Sequence, residues 1–257
     1  NGWIDDKEDV NYLLYTYEPE EGSKLGTAYT DNFLCKFAPI NEVFYALKFL
    51  GKDKGHKFDV FGCIETLKRY EKEGKPVRIF GFPAFLYFTI NQMKELGLDP
   101  IKLNPESFVF LGGGWKGNQD KAIDKIEFYK QVEEMLGIPD QRLRDGFGSV
   151  EHCIPYIEGK KHEFRIPTWS RVVIRDVKTL EPLGDGEVGY LNFISPYITS
   201  VPANSVLMGD LAIRHAGGNS IFDGPWFEIV GRAGIKKNKS CAVAASELLK
   251  EFDGGAK

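Results

Sequence analysis

Between residues 77 and 137 the chain alternates twice between a short apolar run and an amphipathic stretch, with glycines at the joins. Val77, Arg78, Ile79, Phe80, Gly81 and Phe82 read as a buried strand leading into Pro83. Residues 85–96 follow as a helix ending at Gly97, and residues 108–111 as a second strand. Ile123, Ile126, Tyr129, Val132 and Leu136 then form the apolar stripe of another helix, stopped by Gly137. Alternation of this kind builds a mainly parallel sheet with helices packed against it. Just upstream, residues 64–73 read as a helix stopped by Gly74. Asn41 is expected to cap a helix whose apolar side is Val43, Phe44, Leu47 and Leu50, closed by Gly51. The first forty residues mix polar and aromatic positions without a clear period.

The second half changes character. Residues 171–177 are rich in β-branched side chains, and "LEPLGDGEVGYLNF" sets a Gly-Asp-Gly turn between two strands. Residues 206–215 and 226–232 read as two more strands, and residues 242–252 as a last helix. The expected fold is α/β, followed by a smaller β-rich subdomain and a short helical tail. The expected boundaries are 1–170 for the α/β part, 171–232 for the β-rich part and 233–257 for the tail.

Composition narrows the function classes. The 257 residues carry a formal net charge of -4 and no long basic run, so the electrostatic footprint of a nucleic-acid binder is missing. The longest apolar run, residues 84–90, is far too short to span a bilayer, and no signal peptide is expected. Cys35, Cys63, Cys153 and Cys241 are scattered without metal or redox spacing, which suits free thiols in a cytoplasmic protein. His152, Cys153 and His162 could supply three soft ligands to Zn2+, but their spacing matches no standard zinc motif.

Several short stretches combine glycine with a chemically useful neighbour. Gly112, Gly113 and Gly114 end the strand at 108–111 in bare backbone, with Trp115 and Lys116 beside it. Such backbone, at the carboxyl end of a parallel strand, can receive the edge of a flat ring. It is not a dinucleotide fingerprint. In "RDGFGSVEH" (144–152), Phe147 lies between two glycines, Ser149 offers a hydroxyl and Glu151 a carboxylate able to hold a divalent ion against phosphate oxygens. Asp210 follows a glycine between apolar stretches, where a carboxylate can accept two bonds from a ribose diol. Arg232 follows Gly231 and suits bidentate contact with ribose or phosphate oxygens. Cys241 follows Lys236, Lys237 and Lys239 and opens the expected last helix, a setting that favours thiolate. Taken alone, "RDGFGSVEH" is about as compatible with an ordinary turn, and for the glycine triplet, Asp210 and Cys241 an ordinary turn or buried position is the commoner reading.

Their order is more specific than any one of them. "GGWKG" (113–117), "GFGSVEH" (146–152), "MGDLA" (208–212), "VGRAG" (230–234) and "KSCAVAASELL" (239–249) together resemble the LuxE-type acyl-protein synthetases of the adenylate-forming superfamily. The resemblance runs from about residue 76 to residue 249. It implies ATP and Mg2+ as cofactors, a fatty acid as substrate and an acyl reductase as partner. It implies that Gly112, Gly113 and Gly114 line the adenine, that Phe147 stacks on it, and that Gly148 and Ser149 belong to the same cofactor-binding set. Glu151 would help hold Mg2+, Asp210 the ribose hydroxyls, and Arg232 the ribose or phosphate. Cys241 would take the acyl group from the adenylate as a thioester.

The sequence also departs from the pattern. A Ser-Ser-Gly-Thr type of phosphate loop is expected upstream, and "EGSKLGTAYT" (21–30) is a weak match. A fragment lacking about one hundred leading residues, or a chain that has lost adenylation, would explain this. Gly234 stands where many adenylating relatives place an acidic hinge residue, and the chain ends soon after Cys241, without a full mobile C-terminal domain. A phenylacetate-type CoA ligase and a non-catalytic nucleotide- or acyl-binding module therefore stay open as alternatives. Phe82, Phe85, Tyr87 and Phe88 suit either an acyl tunnel or, more commonly, an aromatic core.

Overall fold

A computed structural model describes residues 7–20, 31–115, 118, 121–217 and 224–233. These residues divide after Leu143 into two compact units.

In the first unit five strands form one sheet: β1 (Val10–Tyr17), β2 (Ile40–Phe49), β3 (His56–Phe58), β4 (Val77–Gly81) and β5 (Phe108–Gly112). Their spatial order is β3-β2-β1-β4-β5. The β1/β2, β1/β4 and β4/β5 pairs are parallel, and only β3 runs antiparallel, to β2. Period-two alternation sends Leu13 and Tyr15 of the central strand β1 into one core, and Tyr12 and Leu14 into another on the opposite face. A parallel strand covered on both faces reads as a near-continuous apolar run, which is why β1 shows no clear amphipathic period in the sequence. Of its buried polar residues, Asn11 is satisfied: it donates to Glu73 at 2.8 Å and accepts from Asn41 at 2.7 Å, whereas the Thr16 hydroxyl is buried without a well-formed hydrogen bond.

The helix expected over 43–50 is instead strand β2. The run "EVFYALKF" has apolar residues at helical spacing but also at Tyr45 and Phe49, and β-branched and aromatic types dominate it. Register with β1 settles the matter, with Val43 opposite Tyr12, Phe44 opposite Leu13 and Tyr45 opposite Leu14. Asn41 bonds to Asn11 rather than capping a helix.

The helices α1 (Val60–Glu73), α2 (Pro83–Glu95) and α3 (Lys125–Leu136) match the expected ones to within a few residues. Their ends follow from side chains. Asp59 accepts from the Gly62 amide, and Asp124 from the amides of Ile126 and Glu127. Pro83 opens α2, and Gly74 and Gly137 close α1 and α3 in the left-handed conformation. The stripe of α3 is correct at Tyr129, Val132 and Leu136, while Ile126 is exposed.

The second unit runs from Arg144. Strand β6 (Leu143–Phe147) continues into it and pairs antiparallel with β7 (Tyr156–Ile157). Beyond it, β8 (Phe164–Arg165), β9 (Arg171–Arg175), β10 (Val188–Ile194), β11 (Ser205–His215) and β12 (Trp226–Arg232) form an antiparallel sheet in the order β8-β12-β11-β10-β9. Ile154, Tyr156 and Phe164 share the core of that sheet with Val172, Ile174, Leu191, Phe193, Ala212 and Phe227. That shared core moves the division of the described chain to residue 143, earlier than the 170/171 junction expected from composition. The expected helix at 242–252 lies outside the described residues.

Candidate functional site

The parallel strands β1, β4 and β5 end on one edge of the first sheet, at Tyr17, Gly81 and Gly112. Ligands of open α/β sheets gather at such carboxyl edges. Beyond β5 the chain turns through Gly113 and Gly114, at φ 72° and 66°. Both are exposed, and a Cβ at Gly114 would meet nothing within 4 Å. The bare backbone expected there is therefore present. Trp115 is half-buried instead of standing free, its ring 5.4 Å from Tyr87 and 6.2 Å from Phe128. That anchor ties the end of the glycine turn to α2 and α3. Lys116 lies outside the described residues. Phe82, Phe85 and Phe88 form a chain of ring contacts near 6.3 Å, with Phe58 5.0 Å from Phe85, as an aromatic core does.

In the second unit, the last residue of β6, Phe147, and the turn that follows it carry four of the expected site residues. Phe147 is half-buried, its ring against Phe164, Phe193 and Phe227 at 6.1–6.4 Å. It packs as part of the core margin, whereas the sequence suggested an accessible ring between two glycines. Gly148 is exposed. The Ser149 carbonyl accepts from the amides of His152 and Cys153, at 3.1 and 2.9 Å, which closes the turn. The Ser149 hydroxyl is buried without a partner. Glu151 projects from the turn, exposed, at the edge of a depression of about 430 Å3 that Val150, Cys153, Tyr197 and Val201 help to line. An exposed carboxylate fits the needs of Mg2+, which is usually held by one or two carboxylates with phosphate oxygens and water completing the shell.

Register brings Asp210 and Arg232 together. They face each other across β11 and β12, and Arg232 Nε donates to Asp210 Oδ1 at 3.2 Å. The Asp210 side chain is 9% exposed and that of Arg232 57%. The pair therefore has a buried acceptor and a solvent-facing donor, a combination able to meet a polyhydroxylated, anionic ligand from the outside. Cys241 and Gly234 lie outside the described residues.

His152, Cys153 and His162 do not converge on a metal. His152 Nε2 is 2.8 Å from the Tyr156 hydroxyl, Cys153 Sγ donates to the Val150 carbonyl, and His162 Nδ1 is 3.3 Å from Glu158 Oε2. Among the described residues no group of three or more His, Cys, Asp and Glu side chains is placed to hold one. Burial lowers the His152 pKa, as expected for an imidazole kept neutral. Burial pushes the thiols of Cys35 and Cys63 up to about 12, which makes them inert, whereas Cys153 is exposed. The sequence reading missed the buried contacts of His152 with Tyr156 and Ser170. Neither partner has a motif, and only the fold brings them within reach.

A mainly parallel sheet followed in sequence by an antiparallel one fits the adenylate-forming fold expected from the sequence. A long-chain-fatty-acid–CoA ligase of Archaeoglobus fulgidus has a similar structure, with a TM-score of 0.55 over 96% of this chain and 47% of that one, at 12% identity. The family model for acyl-protein synthetase, LuxE, matches residues 46–250, and the chain belongs to that family. Two long-chain-fatty-acid–luciferin-component ligases are similar over most of the chain. The one from Aliivibrio fischeri is 26% identical over 76% of this chain and 52% of its own length, and the one from Vibrio harveyi is 27% identical over 77% and 52%. The chain thus spans about half the length of these relatives. No helix among the described residues is long and apolar enough to cross a membrane.

Proposed function

We propose that this chain is part of an ATP-dependent ligase that activates a long-chain fatty acid and passes it to a cysteine. The single observation that carries the reading is the match of the acyl-protein synthetase model to residues 46–250. The fatty-acid carboxylate attacks the α-phosphorus of ATP, pyrophosphate leaves, and an acyl-AMP forms. A thiolate then attacks the acyl carbon, AMP leaves, and a thioester remains. Cys241 is the proposed acceptor, and a cytoplasmic acyl reductase the proposed recipient of the acyl group.

The roles of this chain's residues follow from their chemistry. The backbone at Gly112, Gly113 and Gly114 is the proposed receiver of the adenine edge, and in the second unit Phe147 and Gly148 are proposed separately as nucleotide contacts. Ser149 belongs to the same turn. Glu151 would hold Mg2+, which when bound would offset charge on the phosphate oxygens. Asp210 accepts from the ribose hydroxyls, and Arg232, already oriented by Asp210, donates to ribose or phosphate. The exposure of Glu151 and the solvent-facing side of the Asp210–Arg232 pair support these assignments.

The test supplies preformed tetradecanoyl-AMP to the chain and reads its intact mass. A hydroxylamine-labile acyl adduct that maps to Cys241 and disappears in Cys241→Ser is the expected result. Retention of the adduct in Cys241→Ser refutes the acceptor assignment. Cysteine-independent transfer to coenzyme A would replace the reading with that of a CoA ligase.

A further inference from the structure

We propose that His152 is a positioning residue, which fixes the turn carrying Glu151 through hydrogen bonding to Tyr156 and Ser170. The proposal rests on the reading of Glu151 as the carboxylate that holds the divalent ion.

Of the four consecutive residues from Val150 to Cys153, only His152 is buried, at 1% exposure; Val150 is 82% exposed, and Glu151 and Cys153 are exposed. The side-chain hold of this stretch on the core is therefore the imidazole. Its Nε2 lies 2.8 Å from the Tyr156 hydroxyl and 3.4 Å from Ser170 Oγ, and the two hydroxyls are 2.5 Å apart. All three residues are at most 6% exposed. The ring is also stacked on Phe193, with centroids 4.6 Å apart and planes 13° apart, and Tyr156 stacks on Phe193 at 4.7 Å. The contacts come from three separate places: β7, the segment before β9, and β10.

Stacking and hydrogen bonding contribute different things. Stacking on Phe193 sets the plane of the ring, which a phenylalanine would satisfy equally well. The Nε2 contact sets its rotation within that plane, and so the direction in which the backbone leaves residue 152. Immediately afterwards Cys153 adopts φ 58°, a left-handed conformation unusual for a residue with a Cβ. Residues in such conformations persist only where their surroundings over-determine them. Here the closed turn on the Ser149 carbonyl precedes Cys153 and the buried imidazole adjoins it. Glu151 sits between those two constraints with no side-chain hold of its own. Outer partners that orient a metal-binding group commonly change affinity about 10- to 100-fold when removed.

Two readouts on the whole chain test this. Mn2+ binding in the presence of AMP, followed by electron paramagnetic resonance, reports on Glu151. The rate at which N-ethylmaleimide labels Cys153, mapped by peptide mass, reports on the turn itself. The variants are His152→Phe, which keeps the stacking; Tyr156→Phe, which removes one hydroxyl; and His152→Gln, which can return a donor near Nε2. We expect about a 10-fold loss of Mn2+ affinity in His152→Phe and Tyr156→Phe, a several-fold change in Cys153 labelling, and partial recovery of both in His152→Gln. Wild-type affinity and wild-type labelling in the folded variants overturn the proposal. Loss of thermal stability with both readouts unchanged also overturns it, because that is what a purely structural residue gives. If no protein holds Mn2+ but labelling changes in the variants, the reading of Glu151 fails and the positioning of the turn stands. If His152→Phe does not fold, Tyr156→Phe decides.

Discussion

Asp31 should make the first unit less stable as pH rises. Its side chain sits at the start of a helical turn over residues 31–34, only 5% exposed, and Oδ2 is buried without a partner. Burial pushes its pKa from 3.8 to about 6, and the nearby Thr16 hydroxyl softens that shift without making a well-formed hydrogen bond. Between the two values the folded chain holds a proton that the unfolded chain has released, so stability falls with pH across that window. The contribution is fully present below pH 4 and is lost as pH passes 6. The change from 3.8 to about 6, at ~1.4 kcal/mol per unit of pH, amounts to about 3 kcal/mol. Asp31→Asn keeps the shape and removes the charge. Urea unfolding of the two proteins between pH 4 and pH 8 should give nearly equal stabilities at the acid end. At pH 8 the asparagine variant should be the more stable by up to about 3 kcal/mol. Taking the difference cancels the other titrating groups. Parallel pH curves, or an asparagine variant that is the weaker one at pH 8, would refute the argument.

Two further perturbations address the sheet and the ligand edge. A Cβ at Gly81 would lie 2.5 Å from the Tyr15 carbonyl oxygen, and the residue has φ 127°. Gly81→Ala should therefore cost on the order of 3 kcal/mol, read as a drop in urea midpoint; an unchanged midpoint would show that the edge of β4 can move away. Asp210→Ala should weaken AMP binding roughly ten-fold, about 1.4 kcal/mol, by calorimetry. Its melting temperature should change little, because most of Arg232 already faces water. Undiminished AMP binding would remove Asp210 from the ribose role.

What the sequence made legible is mostly local. Pro83, Gly74 and Gly137 each act within a turn of their own position, so the start of α2 and the ends of α1 and α3 could be read from neighbours alone, whereas the caps at Asp59 and Asp124 do not enter the sequence reading. The turn at Gly186, with φ 84°, likewise marks where β10 begins. The misread elements are those decided by distant partners. β2 has residues at helical spacing and becomes a strand because β1 is beside it. β7 and β8 are two residues long and carry no pattern of their own, yet Tyr156 and Phe164 belong to the antiparallel core and shift the boundary to residue 143.

The same division runs through the candidate site. Glycine-bearing motifs mark where a chain turns, and the turns after β5 and β6 are where they were expected. What the motifs do not encode is which faces of their side chains stay available. Phe147 and Trp115 both have glycine beside them, and both rings are half-buried against other aromatic rings, because an aromatic ring beside bare backbone gains contact by leaning inward. Asp210 and Arg232 are 22 positions apart and meet only through the β11–β12 register. A one-residue slip in that register would turn one of them to the opposite face of the sheet and break the pair. In the proposed roles of the two residues, the pairing would tie nucleotide recognition to strand alignment: a ligand that engages both would also stabilise the register that presents them.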